Sequence, residues 1–124
     1  MFYWMILIEA KENSPYILLD PAKNFMIMKG NSFMANPSQF YNSINTWMQS
    51  YRVSEREVFQ IEITMGYYNT SSIQIMNLFL KTLNSLNPGK IKLKFYIDRE
   101  EEELQESANS LVFNTGITPQ SELF

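Results

Sequence analysis

The chain has 124 residues, is 45% apolar and 19% charged, and sets 10 basic against 13 acidic side chains for a net charge of −3. Those proportions belong to a folded globular protein rather than a disordered one, and the length suits one domain, residues 1–124, with a real hydrophobic core. Histidine and cysteine are both absent, which excludes the common zinc sites, Ser-His-Asp triads, Cys-His pairs and disulfides, while the acidic balance leaves no footprint for nucleic acid.

The opening apolar run, Met1 to Ile8, halts at Glu9. It is too short for a membrane span and lacks the basic leader and small-residue cleavage site of a signal peptide. It reads as an edge strand, and the cytoplasm is the expected compartment. Pro15 then opens Tyr16-Ile17-Leu18-Leu19, turn residues fill 20–24, and Phe25 to Lys29 returns, the pattern of a β-hairpin. Asn36-Pro37 predicts a helix start, with Asn36 as cap, Pro37 at the first position and Gln39 three beyond the cap. Phe40, Ile44, Trp47, Met48 and Tyr51 mark its buried face.

Phe59, Ile61, Ile63 and Met65 alternate with Gln60, Glu62 and Thr64, which predicts a half-buried strand over 58–65. Helical spacing follows over 72–86, carried by Ile73, Met76, Leu80 and Leu83 and broadened by Ile75, Phe79 and Leu86. Asn87-Pro88-Gly89 stops that helix, and Ile91, Leu93, Phe95 and Ile97 predict a strand over 91–97. Lys90, Lys92 and Lys94 alternate with those residues and read as the polar face of the strand. A last helix begins in Asp98-Arg99-Glu100 and runs through Leu104, Ala108, Leu111 and Val112; from Gly116 onward no period is evident.

The predicted order is β-β-β-α-β-α-β-α, an α/β fold. The strand–helix–strand unit over 58–97 requires parallel strands and a right-handed crossover. Both strands keep a polar face, whereas a sheet covered on both sides is apolar throughout. The expected architecture is therefore a mixed sheet with helices mainly on one face.

Chemistry concentrates where the 58–65 strand hands over to its helix, at Tyr67-Tyr68-Asn69-Thr70-Ser71-Ser72. Ser71 and Gln74 have the spacing of a capping box, which predicts Ser71 as the N-cap and Thr70 one residue outside the helix. A phosphate on Thr70 would lie beside free backbone N–H groups. Hydroxyl clusters before helices are usually only caps, and spacing alone does not attach a phosphate.

The four glycines, at 30, 66, 89 and 116, are scattered, so there is no phosphate cradle or dinucleotide fingerprint and no cofactor is expected. The acidic run Asp98, Glu100, Glu101, Glu102, Glu103 and Glu106 reads as a solvated helix start rather than a metal site, since no second cluster of oxygen ligands accompanies it. Most methionines fall in apolar patterns as core filler. The Thr70 turn and the Asp98–Glu101 segment both follow the C-terminal ends of parallel strands and so share one edge. A phosphate bringing about −1.5 to −2 charge to that edge is screened over a Debye length of ~8 Å. It should affect folding little, and much more a partner that buries the edge.

These residues also carry a resemblance. The hexad is similar to the hallmark of the SiaC-like regulatory phosphoprotein family, bacterial single-domain proteins. Gly30 and Ser32 followed by Asn36, Phe40, Tyr41, Trp47 and Tyr51 resemble the family's G-x-S … N-x-x-x-F-Y … W … Y stretch. Phe95-Tyr96-Ile97-Asp98 and the acids after it resemble its W/F-Y-Y-D-acidic block. The likeness runs from about Ser14 to Phe113. It implies a STAS-like fold and a non-enzymatic switch, phosphorylated by a dedicated protein kinase on the residue matching Thr70 and dephosphorylated by a PP2C-type phosphatase. The unphosphorylated form would bind and activate a diguanylate cyclase, with cyclic-di-GMP as output. Asn69, Ser71 and Ser72 would shape the helix start, Tyr67 and Tyr68 present the turn, and Asp98, Glu100 and Glu101 meet the partner. Two departures stand out: Met34-Ala35 replaces the usual Pro-Glu, and Gly66 replaces a larger residue, which predicts a looser turn.

Two other readings stay open at this level. An anti-sigma-factor-antagonist-like STAS protein usually carries Asp-Ser-hydroxyl-Gly at this junction, where this chain has Asn69 and no following Gly. An enzyme with Thr70 as nucleophile needs an activating base, and Asp98 is the nearest plausible one in the predicted topology.

Overall fold

The computed structural model describes residues 5–124; the first four residues of the predicted opening strand lie outside them. The elements are β1 (Ile6–Ile8), β2 (Tyr16–Asp20), β3 (Phe25–Ser32), α1 (Pro37–Phe40), α2 (Asn42–Ser50), β4 (Phe59–Tyr68), α3 (Thr70–Leu86), β5 (Ile91–Ile97), α4 (Glu102–Val112) and β6 (Gln120–Leu123). The strands form one sheet in sequence order. β1, β2 and β3 pair antiparallel, and β3, β4, β5 and β6 pair parallel.

The predicted hairpin is β2–β3. A single 3-10 turn over Pro21–Lys23 closes it, with Asn24 in the left-handed conformation (φ 56°, ψ 48°) that asparagine tolerates better than most residues. Alternation along the strands sorts the two faces of the sheet. Ile17, Met28, Ile63 and Phe95 stand in register across β2 to β5, and none is more than 1% exposed. α2 covers that row with Ile44, Trp47 and Met48, α3 with Met76, Phe79, Leu80 and Leu83, and α4 with Ala108 and Leu111. The opposite face carries Gln60, Glu62, Thr64, Lys92, Lys94 and Tyr96, all at least partly exposed, so the helices lie on one side as expected.

Four differences from the sequence reading have local causes. The predicted helix after Asn36 starts as expected, with Asn36 Oδ1 accepting the Gln39 amide at 3.3 Å. It divides at Tyr41 (φ −87°, ψ 5°), whose ring turns inward to 2% exposure, while Phe40 stays half-buried. α4 begins at Glu102 because Asp98 Oδ1 accepts the Glu100 amide at 3.0 Å, a local turn that competes with helix. β4 extends to Tyr68, so α3 begins at Thr70 instead of 72. The unpatterned tail supplies a sixth strand, β6, with every residue exposed.

Candidate functional site: the strand-to-helix junction at Thr70

Strand becomes helix across one residue. Asn69 (φ −77°, ψ 168°) is the N-cap of α3, and its Oδ1 accepts the Ser72 amide at 2.9 Å. Its main-chain N–H donates to the Ser32 carbonyl at 3.0 Å, its carbonyl accepts from Ile73 at 3.0 Å, and Nδ2 donates to the Met34 carbonyl at 3.4 Å. One residue thus joins the end of β3, the β3–α1 loop and the first turn of α3. The S-x-x-Q spacing pointed to Ser71 as cap; the structure moves the cap to Asn69, because β4 pairs as far as Tyr68 with Ser32 and leaves Asn69 at the boundary. Asparagine caps at least as well as serine.

Thr70 is therefore the first helical residue and not one position outside it. Thr70 and Ser71 are exposed, whereas Ser72 is 0% exposed. The amides of Thr70 and Ser71 lie in the first turn, where no carbonyl one turn earlier serves them, so this end of α3 is electropositive.

Beneath the turn lies a buried hydroxyl cluster. Ser32 Oγ and the Tyr41 hydroxyl are 2.7 Å apart, and Ser32 Oγ donates to Ser72 Oγ at 2.9 Å. The Met34 sulfur sits 3.6 Å from Ser32 Oγ and 3.8 Å from Ser72 Oγ. Burial pushes the Tyr41 phenol up to about 12, an effect that its hydrogen bond with Ser32 partly offsets. Tyr68, expected at the partner surface, belongs instead to this interior: it is 4% exposed, and its hydroxyl has no hydrogen-bond partner among the described residues. Burial, and then the neighbouring Tyr41, hold its phenol well above the usual tyrosine range. The inward position breaks strict alternation, by which an inward Met65 would turn Tyr67 to the core: β4 carries one extra residue opposite Gly30 to Ser32, and that bulge sends Tyr68 inward instead.

Tyr67 faces out at 56% exposure, packs edge-to-face on Phe33 with centroids 5.8 Å apart, and donates its amide to Asn31 Oδ1 at 2.9 Å. The turn is tight, contrary to the expectation attached to Gly66. A Cβ at residue 66 would stand 2.3 Å from the Gly30 carbonyl oxygen and 2.7 Å from Asn31 Oδ1, so glycine is what lets β3 and β4 approach here.

β4 and β5 are parallel neighbours, which brings the second predicted segment to the same edge. Tyr67, Asp98, Glu101, Glu103, Leu104 and Phe124 line a hollow of about 370 Å³. Glu100 is exposed but stands outside that lining. No group of three or more Asp or Glu suited to hold a metal ion occurs among the described residues. Sequence reasoning gave Ser32 and Tyr41 no role; only their place in the family's spaced pattern marked them, because buried contacts of Ser32 with residues 9 and 40 positions away, Tyr41 and Ser72, leave no local period.

A family model described as SiaC family regulatory phosphoprotein matches residues 8–118. An uncharacterized protein of Pseudomonas aeruginosa strain UCBPP-PA14 is 24% identical over 103 residues, 82% of each chain. Apo-SiaC from P. aeruginosa superposes with a TM-score of 0.77 at 22% identity, covering 95% of this chain and 99% of that one. A crystal structure of the diguanylate cyclase SiaD in complex with its activator SiaC, also from P. aeruginosa, matches with a TM-score of 0.83 at 21% identity over 96% of this chain and 99% of that one. At such identities the structural likeness speaks for the fold alone.

Proposed function

The chain belongs to the SiaC family of regulatory phosphoproteins, and on that premise we propose that it is a cytoplasmic signalling switch written on Thr70. A partner protein kinase phosphorylates the Thr70 hydroxyl, and a PP2C-type phosphatase removes the phosphate. The unphosphorylated form binds and activates a diguanylate cyclase, as SiaC is named the activator of SiaD in P. aeruginosa. The family is regulatory and not enzymatic. No helix among the described residues is long and apolar enough to cross a membrane.

One observation carries the assignment of the acceptor. The N-T-S-S run holds three hydroxyls, and the fold treats them unequally: Ser72 is sealed against Ser32, while Thr70 and Ser71 face solvent at the positive end of a 17-residue helix. Thr70 is the one the family resemblance marks. A phosphate there adds charge where backbone N–H groups welcome it, so the folded state tolerates it. The docking edge includes exposed Tyr67 and the carboxylates of Asp98, Glu100 and Glu101 and suits a basic partner surface. A phosphate on Thr70 adds an ion that a cyclase covering this edge must desolvate without a dedicated partner, and binding weakens for that reason.

The test is direct. Peptide mapping of the protein recovered from cells should find phosphate on residue 70 under some growth conditions. Binding to the diguanylate cyclase should survive in Thr70→Ala and fall at least about tenfold in Thr70→Glu, a loss of about 1.4 kcal/mol. Residue 70 always unmodified, with Thr70→Ala and Thr70→Glu binding alike, would remove the proposal.

A further inference from the structure

β6 is built unlike the other strands. β5 buries Ile91, Leu93, Phe95 and Ile97 in alternation, whereas β6 buries nothing over Gln120–Leu123. Leu123 and Phe124 remain 46% and 55% exposed. What holds the strand is its ladder to β5, with Lys94 opposite Gln120 and Ile97 opposite Leu123, and the Lys94–Glu122 ion pair at 3.2 Å. That pair is solvent-exposed and contributes little. The far end is closed by two backbone bonds, Phe124 N to the Ile97 carbonyl at 3.0 Å and Arg99 N to the Phe124 carbonyl at 2.9 Å.

The segment before β6 is, by contrast, firmly anchored. Thr115 and Ile117 are buried. Asn84 Nδ2 donates to the Thr115 carbonyl at 3.1 Å, Thr115 Oγ1 donates to the Val112 carbonyl at 2.7 Å, and the Ile117 amide donates back to Thr115 Oγ1 at 3.2 Å. Asn114 (φ 59°) and Gly116 (φ 82°) reverse the chain within this anchor. None of residues 118–124 belongs to the buried core, so no core side chain is carried by the segment itself.

We propose that β6 is a detachable strap, and that the β5 edge it covers is a docking site for an extended segment of a protein partner. When β6 leaves, the Ile97 carbonyl and the Arg99 amide lose their partners, and an unpaired strand edge is a template for β-addition. β6 itself shows that this edge takes an extended chain parallel to β5. The surroundings define the occupant. It carries an acid facing Lys94 in the place of Glu122 and an aromatic or large apolar residue in the place of Phe124, which lines the hollow shared with Tyr67 and Asp98. The docked strand therefore ends at the edge that bears the Thr70 turn, although the strap's opening does not depend on phosphorylation.

Three forms of the full chain test this. In Tyr96→Cys/Glu122→Cys the two positions are register partners in a protein with no other cysteine, and adjacent strands ~4.8 Å apart lie within disulfide reach. Oxidation of this variant locks the strap. Glu122→Pro/Phe124→Pro removes the ion pair and the Phe124 donor and frees the strap. Hydrogen exchange on the wild type should show the amides of Glu122, Phe124 and Arg99, which bridge β5 and β6, exchanging at least about a hundredfold faster than those of Lys92 and Lys94, which face β4. A labelled peptide copying residues 118–124 should bind the freed variant at least about tenfold tighter than wild type and leave the oxidised variant unbound. Protection of Glu122 and Phe124 within tenfold of Lys92 and Lys94, or equal peptide binding by all three forms, overturns the proposal even if one variant folds poorly.

Discussion

Two strand-to-helix junctions stand side by side on one edge of this sheet, and they are made in opposite ways. β4 passes to α3 through Asn69 alone, and that residue makes four hydrogen bonds to β3, the following loop and the helix. β5 passes to α4 through four residues, 98–101, and the helix has no side-chain cap at all. The first junction is held from below by the buried Ser32, Tyr41 and Ser72 hydroxyls; the second exposes Arg99, Glu100 and Glu101 and is held by the Asp98 turn and the Arg99–Phe124 backbone bond, with no buried hydrogen-bond network beneath it among the described residues. Under the proposed function the contrast separates two tasks. A modification must be presented in one fixed place, which favours over-determination, whereas a charged docking surface works best when its side chains can adjust to what arrives.

If the contrast is real, substitutions at the first junction should cost far more than those at the second. Gly66→Val should cost most, about 3 kcal/mol or more by chemical denaturation, because a side chain must displace the Gly30 backbone. Ser32→Ala follows at about 2 kcal/mol, since it strips the buried Tyr41 and Ser72 hydroxyls of a shared partner at once. The most direct comparison is Asn69→Ala against Glu101→Ala, the two N-cap residues. The former should lose about 1 kcal/mol, and the latter should stay within about 0.5 kcal/mol of wild type; equal losses would erase the distinction.

The smallest effect is the most informative in sign. Tyr68→Phe removes a buried hydroxyl that has no partner among the described residues and should leave the melting temperature unchanged or raise it, by up to about 1 kcal/mol of added stability. A clear loss would mean that the Tyr68 hydroxyl is satisfied by an internal water.

Raising the pH offers a further check on the buried cluster. The Tyr41 phenol is ordinary near 10.0 when unfolded and about 12 when folded. The unfolded chain releases its proton first, so the stability from this group is intact below about pH 10 and falls as pH rises toward 12. Tyr41→Phe should flatten that alkaline decline in denaturation midpoints.

Much of this was legible in one dimension. Strand periods at 59–65 and 91–97 and the Asn36-Pro37 and Asn87-Pro88-Gly89 punctuation predict elements that the structure contains, because alternation and turn chemistry are local. The shared edge of the Thr70 and Asp98 segments followed from topology alone, since a strand–helix–strand unit must be parallel. The identity of the cap did not. Asn69 and Ser71 are both good caps, and what chose between them was how far β4 paired with β3, a contact between residues 36 apart at Ser32 and Tyr68.

The amino-acid order determined by itself which chemistries are absent, how the strands and helices alternate, and which face of each is apolar, because each depends on residue types a few positions apart. Tertiary structure alone decided that Ser72 is sealed while Thr70 is open, that Tyr68 turns inward, that Gly66 must have no side chain and that the patternless tail becomes a strand. Each of those outcomes is a contact between distant segments, and burial belongs to the packed assembly rather than to any stretch of chain.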